Sequence, residues 1–295
     1  MAYRFGSHTS VAGGLYLGVE RAHAVGCDVV QIFTKNNNQW KCKPLSDEDC
    51  AKFRAALAEH KIGAPIAHSS YLINVASPDD ELWEKSLEAL VVEWQRCEQL
   101  ELEGLVMHPG AFTKSSPEQG QLRIVDAVQQ AIQRVAPKHC KLLFENTAGQ
   151  GSCLGWQIEQ LGFLLAEVGT DHTGVCWDTC HALAAGYDFR TAKGLREMIA
   201  ELETHDVLPH IAAVHINDSK KDCGTRVDRH EHIGRGFIGE AAFQRFLRST
   251  AFKSLPMYLE TPKGTDEESG EDWDMLNLAL LRRLAGLKGT TTVAS

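Results

Sequence analysis

Nine cysteines occur without one Cys-x-x-Cys pair, and an odd number cannot close into a complete disulfide framework. Cys27, Cys97 and Cys176 sit in apolar segments, and Cys176 with Cys180 reads as a packing pair. Reduced thiols in a cytoplasmic protein are therefore expected. The chain also lacks any run near the ~20 apolar residues of a membrane span. Its first residues, MAYRFGSHTS, lack the basic-then-apolar order of a secretory signal, so neither feature is expected. No Pro-, Gly- or Ser-rich stretch marks a linker. Positive charge is the minority sign: 30 Lys and Arg stand against 39 Asp and Glu, a net −9, which disfavours a sequence-blind nucleic-acid coat protein. A glycine-rich phosphate loop is missing after the first strand, and Gly13-Gly14 is too weak a substitute. That disfavours a doubly wound nucleotide fold.

What is present is a repeating unit. Apolar strand patterns at 3–8, 28–34, 64–68, 104–108, 140–146, 173–178, 211–216 and 256–260 recur along the chain, the middle ones at about 33–43-residue spacing. Helical patterns at 46–60, 79–101, 117–135, 156–168, 190–204 and 239–248 lie between them. Asp47, Pro78-Asp79 and Pro117-Glu118 mark helix starts, and Gly63 and Gly104 follow helix ends. The layout predicts a single-domain (β/α)₈ barrel over 1–285, with its active site at the carboxyl ends of the strands. Residues 286–295 are expected to be a frayed tail.

The strand ends carry the chemistry. Strand three ends at His68, four at His108, five at Glu145 and six at Asp178, with His181 three residues on. Strand seven holds His215, strand eight ends at Glu260, and Asp228 and His230 follow on the loop after strand seven. Singly these are unremarkable: His68 or His108 could cap a strand, and Glu145 could pair with an arginine. Together they place potential ligands on six consecutive strands that converge on one rim. Imidazoles and carboxylates without thiolates suit Zn²⁺ or Mn²⁺, and histidine-rich sets favour zinc. Nine ligands exceed one ion's need and would hold two or three. Clustered ions of this kind hydrolyse phosphodiesters, and the basic residues around 220–235 suit an anionic substrate.

The segments FTKN (33–36), SYLIN (70–74), HPG (108–110), ENTAGQG (145–151), DTCHALAAGYD (178–188), HINDSKKDCGTRVDRHEHIGRG (215–236) and LET (259–261) resemble the endonuclease IV family of apurinic/apyrimidinic endonucleases, in family order. The resemblance implies a trinuclear zinc barrel that cuts duplex DNA 5′ to abasic sites, leaving a 3′-hydroxyl and a 5′-deoxyribose phosphate. Trimming of blocked 3′ ends is implied too. It assigns His68, His108 and Glu145 to one zinc; Glu145, Asp178, His215 and Glu260 to a second; His181, Asp228 and His230 to a third. Mn²⁺ could replace zinc at one or more positions. A hydroxide bridging the first two ions would be the nucleophile, with Glu145 and Glu260 as the catalytic carboxylates. Tyr71 and Leu72 match residues that enter the duplex at the lesion, and Lys35, Lys220, Arg226 and Arg229 would contact phosphates. His8 could orient a ligand or simply occupy the barrel rim. Asn38 stands where some family members carry an arginine that stacks opposite the lesion, which puts the mode of DNA distortion in doubt. Trp177 is bulkier than the aliphatic residue expected there, and its alternation with Asp178 turns it toward the helices. A monomer is expected. The alternative is a metal-dependent sugar isomerase or epimerase of a related barrel class, which needs only one or two ions and leaves His181, Asp228 and His230 without a role.

Overall fold

A computed structural model describes residues 3–287. Eight parallel strands close a barrel: β1 (Arg4–His8), β2 (Val29–Ile32), β3 (Gly63–His68), β4 (Gly104–Met107), β5 (Lys141–Glu145), β6 (Thr173–Asp178), β7 (Ile211–His215) and, after a short ribbon, β10 (Pro256–Leu259). Neighbours follow chain order around the ring, and β10 pairs with β1 to close it. The ribbon, β8 (Asp218–Ser219) against β9 (His230–Glu231), is antiparallel and rises from the loop after β7. The expected barrel is thus present. Most of the expected frayed tail, from residue 288 on, lies outside the described residues. No helix among the described residues is long and apolar enough to cross a membrane, and no two of the nine cysteines are bonded.

The helices α2 (Asp47–His60), α3 (Asp80–Leu100) and α4 (Pro117–Val135) begin where the sequence signals them. Ser46, Asp79 and Ser116 cap them through side-chain oxygens that accept from the N–H groups of Asp49, Leu82 and Gln119. They end at His60, Leu100 and Val135, within a residue of expectation, and Gly63 and Gly104 follow the first two ends. Gly63 and Gly104 open β3 and β4, and the left-handed residues that stop α2 and α3 are Lys61 (φ 55°) and Glu101 (φ 58°). Three helices add to the six read from the pattern: α1 (Leu15–Ala24), α6 (Thr179–Ala185) and α9 (Trp273–Leu284), which pass with α5 (Ile158–Val168), α7 (Ala192–Thr204) and α8 (Glu240–Arg248) around the barrel.

Two apolar layers result from strand alternation. The larger packs strands on helices and includes Phe5, Phe144, Trp177 and Leu259. The smaller fills the barrel: Val29, Ala64, Ile66, Val106, Leu143, Cys176, Ala213 and Tyr258. Trp177 is fully buried in the outer layer, so its bulk is taken up away from the barrel axis, as its register with Asp178 predicts.

Candidate metal centre

The inner layer dictates the site. Two residues beyond Val29, Ile66, Val106, Leu143, Cys176, Ala213 and Tyr258, on the same strand face, stand Gln31, His68, His108, Glu145, Asp178, His215 and Glu260. In β1 the inner position is Gly6, where a Cβ would meet Val29 O at 1.8 Å, and His8 follows two residues on. All eight strands therefore raise a polar side chain to one ring at the rim, seven of them an imidazole or a carboxylate. His108 and Glu260 come one residue after their strands end.

The ring is tight and largely buried. Glu145, Asp178 and His215 are fully buried, and His68 and His181 nearly so. Glu145 lies between histidines: its Oε2 is 3.1 Å from His68 Nε2 and 3.2 Å from His108 Nε2, and its Oε1 is 2.8 Å from His215 Nδ1. Asp178 pairs in register with His215 across β6 and β7, and caps α6 by accepting the His181 N–H. That cap aims His181 Nε2 at Asp228 Oδ2, 3.2 Å away, while His230 Nε2 on the ribbon lies 3.4 Å from Asp228 Oδ1. Donor atoms gather within 4.8 Å as His68–His108–Glu145, as Glu145–Asp178–His215–Glu260 and as Asp178–His181–His230. Asp228 joins His230 and Cys180 in a fourth such group. A cleft of about 360 Å³ between the loop after β5 and the ribbon opens onto His108, His181 and Asp228.

Charge explains what the centre requires. Among the described residues no lysine or arginine pairs with Glu145, Asp178, Asp228 or Glu260; their cationic partners are imidazoles alone. Burial pushes the carboxyls of Glu145 and Glu260 up, but His215 with its neighbouring imidazoles prevails and holds both well below the usual carboxylate range. Burial also opposes the charged imidazoles of His181 and His215, yet the surrounding carboxylates carry both well above the ordinary histidine value. Two fully buried carboxylates, Glu145 and Asp178, a nearly buried one, Glu260, and the half-buried Asp228 beside them demand positive charge from protons or from cations. His181 Nε2 and His230 Nε2 are buried without a hydrogen-bond partner, an arrangement that ligation satisfies. The residues present fit a cluster of divalent ions.

The neighbouring polar groups were less legible. Gln31 is fully buried and reaches His8, His215 and Glu260. Its signal was a lone amide at an inward position of an apolar strand. Asn217 donates to Asp178 Oδ2 (2.7 Å) and accepts from the Glu260 N–H (2.7 Å); Asn146 brackets Asp178 through both its backbone groups. His232 and Asp218, from the same polar stretch as His230, lie apart from the centre. His232 stacks on Trp273 at 3.8 Å, and the Asp218 carboxylate accepts N–H groups from Gly234, Gly236, Ile238 and Gly239.

The expected DNA-facing residues divide. Tyr71 is 58% exposed, with its ring 5.2 Å from that of His68 at the mouth of the site; Leu72 is half-buried beside it. Asn38, Lys220, Arg226 and Arg229 are exposed, with the Arg226 guanidinium 4.1 Å above the Trp156 ring. Lys35 is a correction. Its ammonium is buried 3.1 Å from Glu93 Oε1 of α3, so it is no free phosphate contact. Glu93 Oε2 also accepts the Ser70 N–H (3.0 Å), and Arg96 donates to the Thr34 carbonyl. One helix face thereby pins the loops after β2 and β3. Glu93→Gln should cost about 3–5 kcal/mol, because it leaves a buried ammonium unpaired. Urea unfolding measures it, and a loss under about 1 kcal/mol would contradict the strut.

Comparison with known proteins agrees with the geometry. Residues 19–283 match the family described as xylose isomerase-like TIM barrels. The chain is 44% identical over 282 residues to the probable endonuclease 4 of Chloroflexus aurantiacus, covering 95% of this chain and 98% of that one. Endonuclease IV from Thermus thermophilus superposes with a TM-score of 0.83 at 34% identity, covering 96% and 99% of the two chains. A D-psicose 3-epimerase shares the fold alone, at a TM-score of 0.70 and 15% identity, covering 96% of this chain and 99% of that one. By its sequence, its barrel and the ring of donors it carries, the chain belongs to the endonuclease IV family.

Proposed function

We propose that the protein is a zinc-dependent DNA-repair endonuclease. It hydrolyses the phosphodiester 5′ to abasic sites in duplex DNA, leaving a 3′-hydroxyl and a 5′-deoxyribose phosphate, and it trims blocked 3′ ends. The observation that carries this is the set of donors around Asp228. His181, Asp228 and His230 meet beside the ribbon whose exposed face presents Lys220, Arg226 and Arg229. A sugar isomerase or epimerase needs neither that cluster nor those bases.

His68, His108 and Glu145 would hold one ion; Glu145, Asp178, His215 and Glu260 a second; His181, Asp228 and His230 a third. Bound zinc supplies activation of water near neutral pH and charge stabilisation on the phosphate oxygens; Mn²⁺ offers the same at one or more positions. The protein does the rest. Glu145 and Glu260 keep their oxygens unprotonated, and Glu260 accepts the proton of the attacking water. Asn217 holds Asp178 and the Glu260 backbone in one register. Arg226 and Arg229 fix the strand by its phosphates, a contact that positions but does not read sequence. Tyr71 and Leu72 fill the gap where a base is missing, and extrusion costs little because there is no base to unstack. Asn38, short and uncharged, fills no gap on the opposite strand. The nine free thiols and the self-contained ring support a cytoplasmic monomer.

The test is a duplex with one stable abasic analogue beside an intact duplex. A single nick 5′ to the lesion, lost after prolonged chelation, is expected. No nick from protein retaining three metals would overturn the reading in favour of a sugar substrate. Tyr71→Ala should raise KM on the abasic duplex about tenfold, the loss of one stacked or wedged ring, and change kcat less. Steady-state kinetics at constant salt check this, and an unchanged KM would remove Tyr71 from lesion recognition.

A further inference from the structure

Metal-facing histidines need their second ring nitrogen tied down, so that the proton sits on one side and the lone pair on the other. Three histidines of the centre use backbone carbonyls for this. His68 Nδ1 lies 2.8 Å from Ser69 O, His181 Nδ1 2.8 Å from Asn146 O and His230 Nδ1 3.2 Å from Glu260 O, and in each the Nε2 faces a carboxylate; His181 Nδ1 has Glu145 Oε1 beyond its carbonyl, at 3.2 Å. His215 is turned the other way. Its Nδ1 faces Glu145 and Glu260, and its Nε2 meets the side chain of Gln31, with Oε1 at 2.7 Å.

The orientation of the Gln31 amide is forced. Its other end lies 2.6 Å from Glu260 Oε1 and 2.9 Å from His8 Nδ1. Glu260 can only accept, so the NH₂ group must point there, since a carbonyl oxygen at 2.6 Å would set two acceptors against each other. The amide oxygen then faces His215 and can only accept from an Nε2–H. The His215 Nδ1 lone pair is left aimed into the centre. His8 belongs to the same contact: its Nδ1 lies 2.9 Å from the Gln31 amide nitrogen and 3.2 Å from Glu260 Oε1, so ring and amide converge on one Glu260 oxygen.

We propose that Gln31 is a positioning residue that sets the tautomer of His215 and the rotamer of Glu260 together, doing from β2 what backbone carbonyls do for His68, His181 and His230. The inference rests on the metal-centre reading and deepens it. It also assigns a role to the one member of the eight-strand ring that is a poor metal ligand.

The variants are Gln31→Met, which keeps length and bulk but neither accepts nor donates strongly, and Gln31→Glu, which keeps the acceptor toward His215 and loses the donor toward Glu260. Zinc-loaded proteins are titrated with a chelator, and the His215 ring N–H is followed by ¹⁵N-edited NMR. Wild type should retain three zinc ions and show a slowly exchanging His215 Nε2–H. Gln31→Met should release one of the three at roughly 10- to 100-fold lower chelator concentration and lose that slow signal. Gln31→Glu should keep the signal. Release of all three ions along the wild-type curve, or an unchanged His215 signal in Gln31→Met, would overturn the proposal. Should Gln31→Met not fold, loss of the signal in Gln31→Glu would overturn it alone. Wild-type protein that retains no zinc would instead overturn the metal-centre reading.

Discussion

Glu260→Gln should lower cleavage of an abasic duplex by a factor on the order of 10²–10⁴, the range of a lost general base, while binding that duplex within a few-fold of wild type. The substitution conserves shape, so the β10 rim and the Asn217 contact to its backbone remain. What changes is one oxygen. Oε1 is engaged by Gln31 at 2.6 Å and Oε2 faces His215 Nδ1 at 3.3 Å. An amide nitrogen at the first position sets two NH₂ groups against each other; at the second it turns hydrogens, not a lone pair, into the centre. Either way the group that takes the water's proton is gone. Single-turnover cleavage and equilibrium binding on the same duplex separate the two effects. Cleavage within a few-fold of wild type would sink the role of Glu260.

The sequence revealed this centre because strand alternation is strict. Once the barrel pattern is recognised, any polar residue two places beyond an inner apolar one must rise to the rim, which places His68, Glu145, Asp178 and His215 without further information. Trp177 followed from the same parity, one residue out of step with Asp178 and therefore outside. Gln31 obeys the rule equally well. It escaped notice because an amide is not a recognised ligand, although its position in β2 is equivalent. Lys35 could not be read locally. Its fate depends on Glu93, a residue of a helix three elements later that side-chain packing turns under the β2 loop. Lys61 and Glu101 illustrate the same limit at smaller scale. A left-handed helix end usually selects glycine, but here the next strand starts so soon that the chain turns on a charged, solvent-facing residue instead.

Chelation should destabilise the protein, and the loss should grow with pH. Each ion held at about a thousandfold above its dissociation constant contributes about 4 kcal/mol to the folded state, so removing even one should lower Tm by on the order of 10 °C. The pH dependence follows from the centre itself. Without cations, the only positive charges paired with Glu145, Asp178, Asp228 and Glu260 among the described residues are protons on imidazoles. His181 and His215 have folded values raised above the ordinary 6.5, burial opposing and the carboxylates prevailing. Their contribution is therefore complete below about pH 6.5 and is lost as pH rises through the raised values. Glu145, Asp228 and Glu260 are lowered, burial again opposing and the imidazoles prevailing, so their contribution is present above the ordinary carboxylate range and is lost as pH falls. The metal-free protein should thus be most stable between about pH 5 and 6.5 and weaken toward about pH 9. The loaded protein should not weaken over that range, because ions and protons compete for the same nitrogens and rising pH favours the ions. Calorimetric Tm values of both forms at about pH 6 and about pH 8.5 provide the measurement. A gap between them that stays constant or narrows with pH would mean that the imidazole–carboxylate ring is not what the cations replace.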